Sequence, residues 1–211
     1  MGESTPDSRE QIMTATYRAL GAVGFAELTM SDIAEESGTS TALLHYHFDT
    51  KEDLLVAFLS HLTDRIESDL HASADDDPVE RLFTIVRWYV LDESETERES
   101  FHRALLELRS QAGYNHRYRE RLQQADQLIR EWIADIIVEG IEDDVFEVVD
   151  PEDMAALILA TLDGARTRHL TVGDPSYSTS VEEALSEHVL STFFTEAASN
   201  RWESLIEEES T

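Results

Sequence analysis

The sequence predicts an all-α protein of about nine helices, a three-helix module over residues 1–52 followed by a larger helical body over 53–211. Three observations carry this. Proline is scarce and sits at boundaries: Pro78 follows Asp75, Asp76 and Asp77, and Pro151 follows Asp150. Asp at an N-cap with Pro at the first helical position marks a helix start, because proline lacks only an N–H that would be orphaned there. Apolar residues recur near every 3.6 positions, and no short run alternates apolar and polar between turn signals as a strand would.

The first helix carries Ile12, Thr16, Ala19, Leu20 and Val23 on one face and stops at Gly24. Thr29 then reads as the N-cap of a short helix, with Asp32 at the third helical position as in a capping box, and with Ile33 and Ala34 turned inward. Gly38 permits a sharp turn. Ser40 caps a second short helix anchored by Leu44 and Phe48, and Thr50, with Asp53 three residues on, caps the next. Leu54, Leu55, Phe58, Leu59, Leu62, Ile66 and Leu70 form the stripe of a long fourth helix.

Later helices are expected over 79–91, 97–112, 115–140, 151–171 and 179–206, with Gly113, Gly140 and Gly173 at stops. MAALILATL, from Met154 to Leu162, is apolar nearly all round, so it needs cover on every side. Gly164 just beyond it allows another helix to approach closely, and Val181, Leu185, Val189 and Phe193 share one side of the last helix. The helices at 151–171 and 179–206 are therefore the expected homodimer interface.

Composition excludes several function classes. There is no cysteine, hence no disulfide framework, thiolate metal site or thiol catalysis. No apolar run approaches the ~18 residues of a membrane span, and MGESTPDSRE at the N-terminus has no signal-peptide core, so a cytoplasmic location with no membrane partner is expected. The net charge is −29, from 45 acidic and 16 basic residues, and Lys51 is the single lysine. At 41% hydrophobic residues the chain is too well cored for a disordered acidic tail. Such acidity resembles that of cytoplasmic proteins from extreme halophiles, including halophilic archaea.

The segment LTMSDIAEESGTSTALLHYHFDTKEDLL, Leu28 to Leu55, carries the chemistry. Two short helices, a glycine turn and a third supporting helix are a helix-turn-helix. Within it, YHFDTKEDLL resembles the signature that closes the recognition helix of TetR/AcrR-family transcriptional regulators, and TMSDIAEESGTS resembles the elements before it. REQIMTATYRALGAVGF is similar to that family's first helix, and VEGIEDDVFEVVDPEDMAALILATLDG to the bodies of many members.

The resemblance implies a DNA-binding domain over 1–52 and a ligand-binding and dimerisation domain over 53–211. The protein would be a repressor released from a palindromic double-stranded operator by a small-molecule effector, not an enzyme, with no cofactor and no metal. Ser40 to about His47 would be the recognition helix, with Thr41, Ala42, Leu43 and His45 facing the major groove. Tyr46 and His47 would lie against phosphates, Lys51 would reach the DNA backbone, and Thr29 would offer its amide and hydroxyl to a phosphate at a helix N-terminus. Leu43 stands where a small hydroxyl residue is usual and His45 where tyrosine is frequent. Leu43 offers only apolar contact, as to a thymine methyl.

Electrostatics pull the other way. Residues 1–55 hold three basic groups, Arg9, Arg18 and Lys51, against ten acidic ones, where a basic patch is expected of a DNA-binding head. A helical adaptor that has lost DNA binding is therefore an alternative. In the body, polar and aromatic groups within apolar helices nominate Trp88, His102, Arg109, Tyr118, Asp163 and Arg166 for the effector. A metal-binding helical-bundle enzyme is a weaker alternative: Glu99 with His102 is the one Glu-x-x-His pair, and a di-iron bundle needs two.

Overall fold

The computed structural model describes residues 8–72, 76–90 and 96–209. Among the described residues there are ten α-helices, in order α1 Ser8–Glu27, α2 Met30–Ser37, α3 Thr41–His47, α4 Lys51–Ala72, α5 Pro78–Tyr89, α6 Thr96–Gln111, α7 His116–Glu142, α8 Pro151–Val172, α9 Pro175–His188 and α10 Glu196–Glu209. Among the described residues the only bridge of β type joins Phe146 to Phe194. Leu91, expected to end the fifth helix, lies outside the described residues.

Packing groups the chain into two units that do not follow chain order: Met1–Ile66 with Glu95–Ala125, and Glu67–Ser94 with Asp126–Thr211. The first unit thus takes in α6 and the start of α7 along with the reading module. Its core is Ile12, Met13, Leu20, Leu28, Ile33, Leu44, Leu54, Leu55, Phe58 and Leu108, each at most 1% exposed. α6 lies along α1: Tyr17 stacks on Phe101 with centroids 4.0 Å apart, and Phe58 meets that ring edge-on. Gly21 faces α6, where an added Cβ would meet the Phe101 backbone nitrogen at 3.5 Å, an ordinary van der Waals contact. Val23, expected on the core face of α1, is 42% exposed; it is the last residue before Gly24 leaves helical geometry at φ 78°, ψ 166°.

The second unit is built around α5, α8, α9, α10 and the second half of α7. The last helix, expected as one element over 179–206, is two. Pro175 starts α9 after Asp174, by the same Asp-Pro signal seen at Pro78 and Pro151. α9 ends at His188, a 3-10 turn spans Leu190–Thr192, and the chain then crosses residues 145–147: Glu147 N–H donates to Phe193 O at 2.6 Å and Thr195 N–H to Val145 O at 3.2 Å. Phe146 stacks on Phe194, and Phe194 packs against Trp202. Val189 still closes α9, its amide donating to Leu185 O at 3.0 Å, whereas Phe193 lies past the 3-10 turn and does not continue the stripe of Val181 and Leu185. Gly140 does not stop α7. It lies inside the helix, and a Cβ there would fall 2.0 Å from the Phe146 ring.

Candidate nucleic-acid interface

The recognition geometry grows from three N-caps. Thr29 is in extended backbone and its hydroxyl accepts from Asp32 N–H at 3.3 Å. The Asp32 carboxylate reaches back, accepting from the Thr29 amide and hydroxyl at 2.7 Å each, which completes a capping box. α2 ends at Gly38, left-handed at φ 65°. Ser40 caps α3, accepting from Leu43 N–H at 3.2 Å. Thr50 and Asp53 repeat the box at α4: Asp53 accepts the Thr50 hydroxyl at 2.6 Å and its amide at 3.1 Å.

α3 has one buried residue, Leu44, which fixes it to the core. Its outward side presents Ala42, Leu43, His45, Tyr46 and His47, with Tyr46 83% exposed. Thr41 is half-buried at the first turn, while Ser40 sits exposed as the cap rather than as a helical residue. Of the groups expected at the major groove, Ala42, Leu43 and His45 therefore face solvent and Thr41 does so only in part. Tyr46 and His47 meet edge to face, with centroids 5.2 Å apart.

Two expected phosphate ligands are engaged within the chain. Thr29 spends both its amide and its hydroxyl on Asp32. The Lys51 ammonium donates to Leu28 O at 2.8 Å and Phe25 O at 3.3 Å and lies 5.2 Å from the Phe25 ring centroid. The Asp32 carboxyl is held below the usual aspartate range, first by the Thr29 hydroxyl, then by its amide. Asp53 is lowered likewise by the Thr50 hydroxyl and by Arg117, whose guanidinium sits 2.8 Å away. Arg117 also pairs with Glu52 at 3.2 Å, and Arg18 with Glu36 at 3.6 Å. The spacing of Thr29 with Asp32 and Thr50 with Asp53 signals both boxes. No local pattern signals the Arg117 link, which joins residues 65 positions apart in sequence.

The six residues nominated for an effector divide between the two units. His102, Arg109 and Tyr118 belong to the first. His102 and Tyr118 are buried there, and burial pushes the Tyr118 phenol up to about 12. Trp88, Asp163 and Arg166 come together in the second. The Arg166 guanidinium pairs with Asp163 at 2.8 Å and lies over the rings of Tyr89 (4.3 Å) and Trp88 (5.6 Å). Its Nη1 is buried without a partner. Among the described residues no three His, Asp or Glu side chains cluster as a metal site, and Glu99 pairs with Arg103. No described helix is long and apolar enough to cross a membrane.

Residues 12–58 match the family described as bacterial regulatory proteins, tetR family, and residues 78–193 match the C-terminal region of BetI-type transcriptional repressors. The HTH-type transcriptional regulator BetI of Brucella canis is 34% identical over 86 residues, 40% of this chain and 43% of that protein. BetI of Rhizobium meliloti is 36% identical over 84 residues, 39% of this chain and 41% of that protein. The matched stretch thus spans about two fifths of these curated relatives. A TetR transcription regulator from Haloarcula marismortui superposes with a TM-score of 0.80 at 37% identity, covering 90% of this chain and all of that one. A regulator from Saccharomonospora viridis, solved in complex with choline, shares the fold at TM-score 0.72 and 23% identity, covering 87% of this chain and 98% of that one.

Proposed function

This chain belongs to the TetR family of transcriptional regulators, with a C-terminal region of the BetI type, and from that premise we propose that it is a repressor released from a palindromic operator by a small molecule. The observation that carries DNA reading is α3: a capped helix pinned by buried Leu44 and by Phe48 at its C-cap, with five outward residues free to meet a groove. Residues 1–52 act as the DNA-binding domain and 53–211 carry dimerisation and effector binding. Thr41, Ala42, Leu43 and His45 read base edges. Ser40, Tyr46, His47 and Thr29 lie on the phosphate side, with Lys51, the head's single lysine, beside them.

Dimerisation uses α8 with α9 and α10. Supporting this, Leu157 is 49% exposed, Ala160 is exposed, and among the described residues beyond its own helix backbone nothing lies within 4 Å of a Cβ added at Gly164. Trp88, Asp163 and Arg166 hold the effector. The unpartnered Nη1 of Arg166 suits an oxygen acceptor on the ligand. Release requires that the effector bind the non-operator state better than the operator state.

Footprinting of the promoter flanking this chain's own gene, at high KCl because the net charge is −29, tests the reading. Protection of a palindrome that is lost with Tyr46→Ala is expected. No protection at any salt rejects DNA reading and favours the adaptor. A halophilic, cytoplasmic setting further implies a melting temperature that rises from dilute to molar KCl.

A further inference from the structure

We infer that Lys51 is a positioning residue of the reading head, acting on DNA through the corner between α1 and α2 and not as a phosphate ligand; this rests on the proposed operator binding. α1 leaves helical geometry at Gly24, and the last carbonyls of any helix lack partners within it. Lys51, first residue of α4, reaches the α1 carbonyl Phe25 O and, just past the helix, Leu28 O, from 26 and 23 residues away in sequence. An ammonium has three N–H donors, so two are committed. The face of the Phe25 ring takes up a further side of the cation at 5.2 Å, and positive charge is favoured at a helix C-terminus.

The anchored Leu28 carbonyl matters because of its neighbour. Leu28 is 1% exposed and immediately precedes Thr29, the N-cap that sets the direction of α2. One side chain therefore ties the start of α4 to the start of α2, the two elements that bracket α3. On the same first turn of α4, Arg117 engages Glu52 and Asp53. Drawing the ammonium onto a phosphate would break two charge-assisted hydrogen bonds to make one, in a head whose acidic groups already outnumber its basic ones.

Because Lys51 is the single lysine, [15N]lysine labelling gives one side-chain ammonium signal in the full-length chain. We expect that signal to show slowed proton exchange in the free protein and to keep its shift when the gene's own promoter duplex is added. Lys51→Met is expected to lower the melting temperature of the free protein by about 4–8 °C. It should also weaken duplex binding about tenfold at every KCl concentration, leaving the slope of log K against log [KCl] unchanged.

A slope shallower by about 1, the signature of a lost phosphate contact, overturns the inference. So does a signal that shifts on DNA, or an unaltered melting temperature. If Lys51→Met does not fold, the ammonium signal decides alone. A wild-type chain that binds no promoter duplex rejects the operator reading. In that case an ammonium that exchanges freely in the free protein overturns the anchoring itself.

Discussion

Asp53 joins the first turn of α4 to the first turn of α7: its Oδ1 lies 2.8 Å from Nη1 of Arg117, while its Oδ2 accepts the Thr50 hydroxyl at 2.6 Å. One carboxylate thus serves a local cap and a contact between helices distant in sequence. The stability of the reading head is tied to its ionisation.

Asp32 and Asp53 both titrate below the usual aspartate range. A lowered folded value means that the contribution is complete above the unfolded value, roughly 3.9, and is lost as pH falls through the folded one. Melting of the head followed from pH 6 to pH 2 is therefore expected to show an acid limb, flatter in Asp53→Asn and Asp32→Asn. An unchanged limb in both variants counts against these caps as its source.

Asp32 also competes for Thr29. With its carboxylate on the Thr29 amide and hydroxyl, a phosphate approaching α2 meets a negative charge at the site where the helix N-terminus would otherwise attract it. Asp32→Asn keeps an acceptor but removes the charge. Operator binding at moderate salt should tighten about twofold to fivefold. Equal or weaker binding in gel-shift titrations removes Thr29 from the phosphate contacts.

Gly140 and Gly164 should respond in opposite ways. Gly140→Ala drives a Cβ into the Phe146 ring and is expected to cost about 1–3 kcal/mol, read as a fall in melting temperature. Gly164 has open space among the described residues. Gly164→Leu should leave secondary structure intact while shifting sedimentation from dimer to monomer. A dimer that persists excludes this face of α8 as the interface.

Leu43 is 37% exposed on the outer face of α3 and has no hydrogen-bonding group. If it reads a thymine methyl, Leu43→Ser lowers the preference for that base by about 1–3 kcal/mol without weakening other sequences. Tyr46→Ala, by contrast, should weaken all sequences alike. Selection from a randomised half-site separates the two patterns.

The sequence by itself determined the features that depend on near neighbours. The caps at Thr29, Ser40 and Thr50, the inward Ile33, Ala34 and Leu44, the left-handed Gly38 and the Asp-Pro starts of α5 and α8 are all set within about four residues. That is enough to specify a helix-turn-helix and an all-helical body. Tertiary packing decided the rest. Phe146 stacking on Phe194 breaks the last predicted helix in two, and the same ring turns Gly140 from a stop into a clearance. Lys51 and Arg117 look like free cations in the sequence, yet they are committed to Leu28 and Asp53 across 23 and 64 positions. Helical periodicity records which side of a residue faces inward. It holds no record of which distant carbonyl or carboxylate will be waiting there, and in this reading head those partners settle where the positive charge goes.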